Sequence, residues 1–290
     1  MARLSMNQMT TRSWTIPALA RACAAAGVRF AGLWREPAAG FGLAAARTCL
    51  ADHGVAVSSL CRGGFLTGSD PARRRERLDD NRRAIDEAAE LGAPCLVIVA
   101  GGLDAGSHDL PGARARLAEA VSELAPYAGA RGVRLGLEAL HPMYCADRSV
   151  LSTLDQALDL ALQFPADQVG VVVDTFHIWW DPGVLAAIDR CGGRIAAYQV
   201  CDIMVPLPAD VLLGRAMMGD GPIDFAALTA AVAAAGYAGP VEVEIFNADV
   251  WAADPDTVLA TAIARYRRLI QPYAATPSPA KEPRDGTDNP

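Results

Sequence analysis

The chain has 290 residues and a mass of 30.4 kDa, 52% of them hydrophobic and 20% charged, enough apolar material for one large α/β barrel or two ordinary domains and too much for a disordered chain. A formal net charge of -7 argues against a surface built to neutralise a nucleic-acid backbone. No run approaches the roughly 18 apolar residues of a bilayer span, and the start MARLSMNQMTTRSW lacks the apolar core of a secretory leader, so a cytoplasmic protein that binds neither membrane nor nucleic acid is expected.

Short apolar runs alternate with longer amphipathic, alanine-rich segments. In chain order, strands are predicted over 3–7, 29–34, 55–61, 95–100, 133–138, 169–174, 195–201 and 241–245. Helices follow them over 16–26, 41–53, 71–91, 112–130, 153–164, 182–190, 224–235 and 254–270. Gly27, Gly54, Gly92, Gly132 and Gly236 fall where helices should end and suit a left-handed C-terminal cap. Asp224 and Asp254 suit N-caps. Eight strand–helix units predict a single-domain (β/α)8 TIM barrel over 1–272 in preference to an open doubly wound sheet. The Pro-rich, polar segment 273–290 reads as a disordered tail. The many arginines of 73–90 alternate with Glu76, Asp79, Asp80, Asp86, Glu87 and Glu90, the pattern of a solvated helix laced with ion pairs.

The only lysine, Lys281, lies in the tail, which excludes Schiff-base aldolase and pyridoxal chemistry at a barrel site. Seven cysteines without C-x-x-C spacing read as reduced, mostly buried thiols. G-x-S-x-G, H-E-x-x-H and dinucleotide fingerprints do not occur in the sequence.

In such a barrel, reactive groups sit at the C-terminal ends of the strands. There the sequence places Glu138 in LGLEALHP, Asp174 in VVVDTFH, Gln199 in YQVCD and Glu244 in VEVEIF. Three carboxylates brought so close repel one another unless a cation neutralises them. Oxygen ligands of this kind suit one divalent ion, with Mn2+ expected and Mg2+ or Co2+ as alternatives. His141, in the loop after Glu138, is a candidate substrate contact or proton donor, or else an ordinary loop histidine. Arg62, beside Cys61 in SLCRGGF, could hold a carboxylate or phosphate with its planar fork, or be a surface arginine. Trp34, Trp179 and Trp180 could wall a sugar ring, or serve packing.

These motifs, with LLGRAMMGDGPIDF and GYAGPVEVEIF, resemble the xylose-isomerase-like TIM barrels, the sugar phosphate isomerase/epimerase superfamily. That group also holds ketose 3-epimerases, inosose dehydratase, dehydroshikimate dehydratase and endonuclease IV. The resemblance spans 1–272. It implies metal ligation by Glu138, Asp174, Gln199 and Glu244, proton transfer by Glu138 and Glu244, and substrate contacts from His177 and Arg215. Glutamine as third ligand resembles the dehydroshikimate dehydratase pattern, and Tyr144 stands where the epimerases carry a further glutamate. The expected activity is sugar isomerisation or epimerisation through an enediolate. The alternative is a lyase on the same scaffold, dehydrating a cyclic ketone such as dehydroshikimate or inosose, or expelling the aglycone of a 3-keto-glycoside. The expected partners are a small sugar or cyclic polyol-derived ketone and, as protein, a second copy of the chain or another subunit.

Overall fold

Runs such as Cys95–Val99 and Val169–Asp174 are buried at every position, because one pleat face packs inside a barrel and the other lies under helices. In the computed structural model, which describes residues 1–274, the first seven barrel strands are β1 (Leu4–Asn7), β2 (Phe30–Trp34), β3 (Ala56–Gly64), β4 (Cys95–Val99), β5 (Arg134–Glu138), β6 (Val169–Asp174) and β7 (Ile195–Val200). A small hairpin of β8 (Asp202–Ile203) and β9 (Arg215–Ala216) precedes the last, β10 (Val241–Val243). The eight barrel strands are parallel and close in the order β1-β10-β7-β6-β5-β4-β3-β2.

The outer helices begin and end where the sequence carries caps. Gly27 and Gly92, at φ 71° and 73°, end the helices Ile16–Ala26 and Pro71–Leu91 in the left-handed conformation that costs glycine nothing. Asp224 and Asp254 accept the N–H groups of Ala227 and Thr257, as N-caps do. Along Pro71–Leu91 the arginines find carboxylates: Arg82 pairs with Asp79 and Glu123, and Arg74 with Glu119. Arg35, from outside that helix, grips Asp80 at 3.1 Å and Glu87 at 2.6 Å.

Several short elements lie outside the expected pattern: the helix Arg35–Phe41 before Leu43–Asp52, the four-residue helix Thr175–Ile178, the helix Ala248–Ala252 and the β8–β9 hairpin. β3 also runs past its expected end at 61 to Gly64. The Asn81 side chain accepts the Gly64 N–H at 2.6 Å and donates to the Gly64 carbonyl at 2.9 Å, substituting for neighbours the strand end lacks. The expected tail over 273–290 lies, from 275 onward, outside the described residues. Gln271–Tyr273 forms a last 3-10 turn, and Arg3 donates to the Ala274 carbonyl.

Candidate active site and metal centre

The staves β5, β6, β7 and β10 are consecutive around the barrel. Glu138 and Glu244 therefore stand on or just beyond the outer two, and Asp174 and Gln199 on the inner two. Asp174 is paired directly with Gln199, and Gln199 with Glu242, so Glu244 lies one pleat period above Glu242 on the same face. All four expected ligands are buried. Glu138, Gln199 and Glu244 line a cavity of about 840 Å³, open mouth included, together with Arg62, Tyr144, Arg148, His177 and Arg215. Asp174 sits beneath them. Its Oδ2 accepts from Arg215 Nη2 at 2.8 Å, and its Oδ1 accepts the Phe176 N–H at 2.9 Å.

Arg215 is the local positive charge. Its guanidinium bridges Asp174 and Glu244, the latter at 3.3 Å, and lies over the Phe176 ring. Burial, reinforced by the charges of Asp174 and Glu244, pushes the Glu138 carboxyl well above the usual range. Glu244 is raised to about 8, chiefly by burial, with Arg215 pulling the other way and Asp174 adding to the rise. Carboxyls tuned upward beside one cavity suit proton transfer near neutrality.

His177 is held neutral by burial and by Arg215, which lower its pKa well below the ordinary histidine value. The His141 N–H donates to its Nδ1 at 3.2 Å. The ring's Nε2 lies 3.3 Å from Arg215 Nη2, a group that can only donate, and 3.8 Å from Asp174 Oδ2, so N–H donors face both ring nitrogens. Glu138, Asp174 and His177 offer ligand atoms within 4.8 Å of one another, a group that takes in His177 and leaves out the expected ligand Glu244.

The observation that tests a metal is at Gln199. Its Nε2 donates to Glu242 Oε1 at 3.1 Å, while its Oε1 is buried without a hydrogen-bond partner. An orphaned buried carbonyl oxygen costs about 1–3 kcal/mol, and a divalent cation held beside Glu138 and Asp174 would satisfy it. The donor set of carboxylate and amide oxygens fits a hard ion.

The other expected site residues divide. Arg62 and Cys61 line the cavity as expected; Arg62 stacks on Phe65, and no ion pair among the described residues engages it. Burial lowers the Arg62 pKa, against the opposing charge of Glu36. His141 does not line the cavity: it acts through its backbone on His177, and its ring packs against Trp180. Trp34 does line it, edge-on to Phe246, whereas Trp179 and Trp180 do not and serve packing, the other role the sequence allowed them. Trp179 caps the helix Thr175–Ile178 and packs on the core, and the Trp180 indole N–H donates to the His177 carbonyl at 2.8 Å. Sequence reasoning missed Asn7, whose Nδ2 donates to Glu244 Oε1 at 2.9 Å and to Glu242 Oε1 at 2.7 Å, although Asn7 ends a strand as the ligands do. It also missed Arg148 and Phe246 in the lining, and the buried, unpartnered Tyr144 hydroxyl.

The fold and this strand-end constellation define a class, and sequence comparison gives the same one: the chain belongs to the xylose isomerase-like TIM barrel family, whose profile matches residues 20–269. Over 206 residues it is 33% identical to a 3-dehydroshikimate dehydratase of Pseudomonas putida, a match covering 69% of this chain and 31% of the relative. The chain thus spans about a third of the length of that relative. Weaker relatives include an inosose isomerase of Bacillus licheniformis, at 23% identity over 72% of this chain and 74% of the relative, and an L-ribulose 3-epimerase of Mesorhizobium japonicum, at 28% over 68% and 63%. Among solved structures, protein SMc04130 of Sinorhizobium meliloti is 44% identical, covers 92% of this chain and 98% of its own, and superposes with a TM-score of 0.87.

Proposed function

We propose that the chain abstracts the proton alpha to the carbonyl of a small polyhydroxylated ketone and returns it to give an isomer or epimer. The observation that carries the reading is the pair of buried, upward-shifted glutamates, Glu138 and Glu244, flanking Asp174 and Gln199 at one cavity. Glu138, Asp174, Gln199 and Glu244 would hold one divalent ion, Mn2+ by preference, whose charge polarises the carbonyl and makes the alpha proton acidic. One glutamate takes the proton, leaving an enediolate, and the other delivers one to the facing side. His177 and the Arg215 guanidinium orient substrate oxygens, while Trp34 and Phe246 cover the ring or chain and exclude water.

A second reading, dehydration of a cyclic ketone that bears a carboxylate, is favoured by one observation. Arg62 and Arg148 both face the cavity, and the nearest carboxylate to Arg148 is its own neighbour Asp147 at 3.8 Å. Two cations so weakly compensated suit an anionic substrate group. The dehydratase relative supports that outcome, and the isomerase and epimerase relatives support the first.

Incubation with Mn2+ in D2O across ketoses, inososes, 3-dehydroshikimate and 3-keto-glycosides tests both. Deuterium uptake without loss of water supports the first reading, loss of water from a carboxylated ring supports the second, and neither on any ketone overturns the enediolate chemistry.

A further inference from the structure

Beneath the expected ligands lies a third buried glutamate, Glu242, to which the proposed reaction gives no role. Its carboxylate is 2% exposed and fully engaged. Oε1 accepts from Asn7 Nδ2 at 2.7 Å and from Gln199 Nε2 at 3.1 Å, and Oε2 accepts from the hydroxyls of Ser58 and Ser59 at 2.7 and 2.8 Å. The backbone leaves room for it: a Cβ on Gly32 would stand 2.4 Å from the Glu242 carboxylate carbon. A glutamate at the centre of a barrel, set in a slot opened by a glycine and met by four donor groups, is not a spare core residue.

We infer that Glu242 is a positioning residue that fixes the amide of Gln199 with its oxygen toward the metal site. A glutamine amide has two ends of nearly equal shape and opposite polarity, and only one of them can bind a cation. Glu242 lies beside Gln199 in the β7–β10 register and presents an acceptor. The NH2 end of Gln199 turns to it, and the opposite end, Oε1, is left buried and unpartnered. A histidine ligand is commonly oriented by a partner on its second ring nitrogen; here a carboxylate sets the sense of an amide. The inference rests on the metal reading of the proposed function and adds to it a residue outside the ligand set.

The test is Mn2+ affinity, read by calorimetry on the full chain without substrate. Glu242→Gln keeps the shape but offers an NH2 that can turn the Gln199 amide over. It is expected to weaken Mn2+ binding by about 10- to 100-fold with the circular dichroism spectrum and metal-free melting temperature of the wild type. In the exchange variant Glu242→Gln/Gln199→Glu the carboxylate at 199 has two equivalent oxygens and needs no partner to set its sense, so affinity lost through a turned amide returns, whereas affinity lost through a disturbed barrel does not. It is expected to bind Mn2+ at least within about threefold of wild type, and it remains informative if Glu242→Gln alone fails to fold. A folded Glu242→Gln that binds as wild type does, or an exchange variant without affinity, overturns the positioning role alone. A wild-type chain without affinity for Mn2+, Mg2+ or Co2+ overturns the metal reading and this inference with it.

Discussion

Glu244 carries the most demanding assignment of any single residue. Glu244→Gln preserves an oxygen for a metal but cannot accept a proton, so turnover is expected to fall by about 100-fold or more while Mn2+ still binds; a variant retaining a tenth of the wild-type rate would remove the proton-transfer role. The same raised carboxyls make metal uptake depend on pH. Glu138 and Glu244 titrate above the ordinary carboxyl value of 4.5, Glu244 at about 8. Groups raised in this way stabilise the metal-free fold fully below their unfolded pKa and cease to do so as pH climbs through about 8. Ligation requires the ionised form, so Mn2+ binding at pH 7 is expected to release protons, with apparent affinity increasing up to about pH 8. Calorimetry in two buffers of different ionisation enthalpy measures the release, and its absence would mean that the carboxylates are already ionised. Much of this residue-level picture is legible in the sequence, because a strand end marks a reactive position. Glu242 escapes that rule although VEVEIF places it two residues from Glu244 and hence on the same pleat face; attention to the last polar residue of the strand hides the one beneath it.

At the scale of elements, the long helices are legible because glycine and aspartate mark their ends, as at Gly27, Gly92 and Asp254. The hairpin of β8 and β9 is not, since two-residue strands have no period, yet it carries Arg215 into the site. Asn247 ties that hairpin down: its Nδ2 donates to the Arg215 carbonyl at 2.8 Å while its Oδ1 caps the helix Ala248–Ala252. The end of β3 depends equally on one side chain. Asn81→Ala leaves the N–H and carbonyl of Gly64 without their partner, and unsatisfied buried groups of this kind cost about 1–3 kcal/mol each. Denaturant unfolding is expected to show a loss of about 2 kcal/mol or more, with a higher KM because the loosened strand end bears Arg62; an unchanged midpoint would show that water replaces Asn81 at no cost.

Across the whole molecule, the eightfold alternation of strand and helix is what makes the barrel legible, and the mouth is where legibility fails, since its shape depends on loops without periodicity. No helix among the described residues is long and apolar enough to cross a membrane. Because three carboxylates and an unpartnered amide oxygen converge in the folded chain alone, a bound cation should stabilise the fold globally. At a concentration of about 100 times Kd the expected gain is about 2.7 kcal/mol, read as a rise of several degrees in melting temperature on adding Mn2+ and reversed by chelator. A melting temperature indifferent to both would show that the cluster holds no ion.

The slot that Gly32 opens for Glu242 has a consequence for how the sequence can vary. With a Cβ at position 32 only 2.4 Å from the Glu242 carboxylate carbon and from its Oε1, position 32 cannot enlarge while Glu242 keeps its four hydrogen bonds. A larger residue at 32 demands a short one at 242, which in turn strands Ser59 without its acceptor and leaves Ser58 only Ser5. These positions form a covarying unit, so substitutions at 32 and 242 should be inherited together in homologous chains, and a Gly32→Ala lesion should be suppressed by shortening Glu242 to serine, at the expense of Mn2+ affinity.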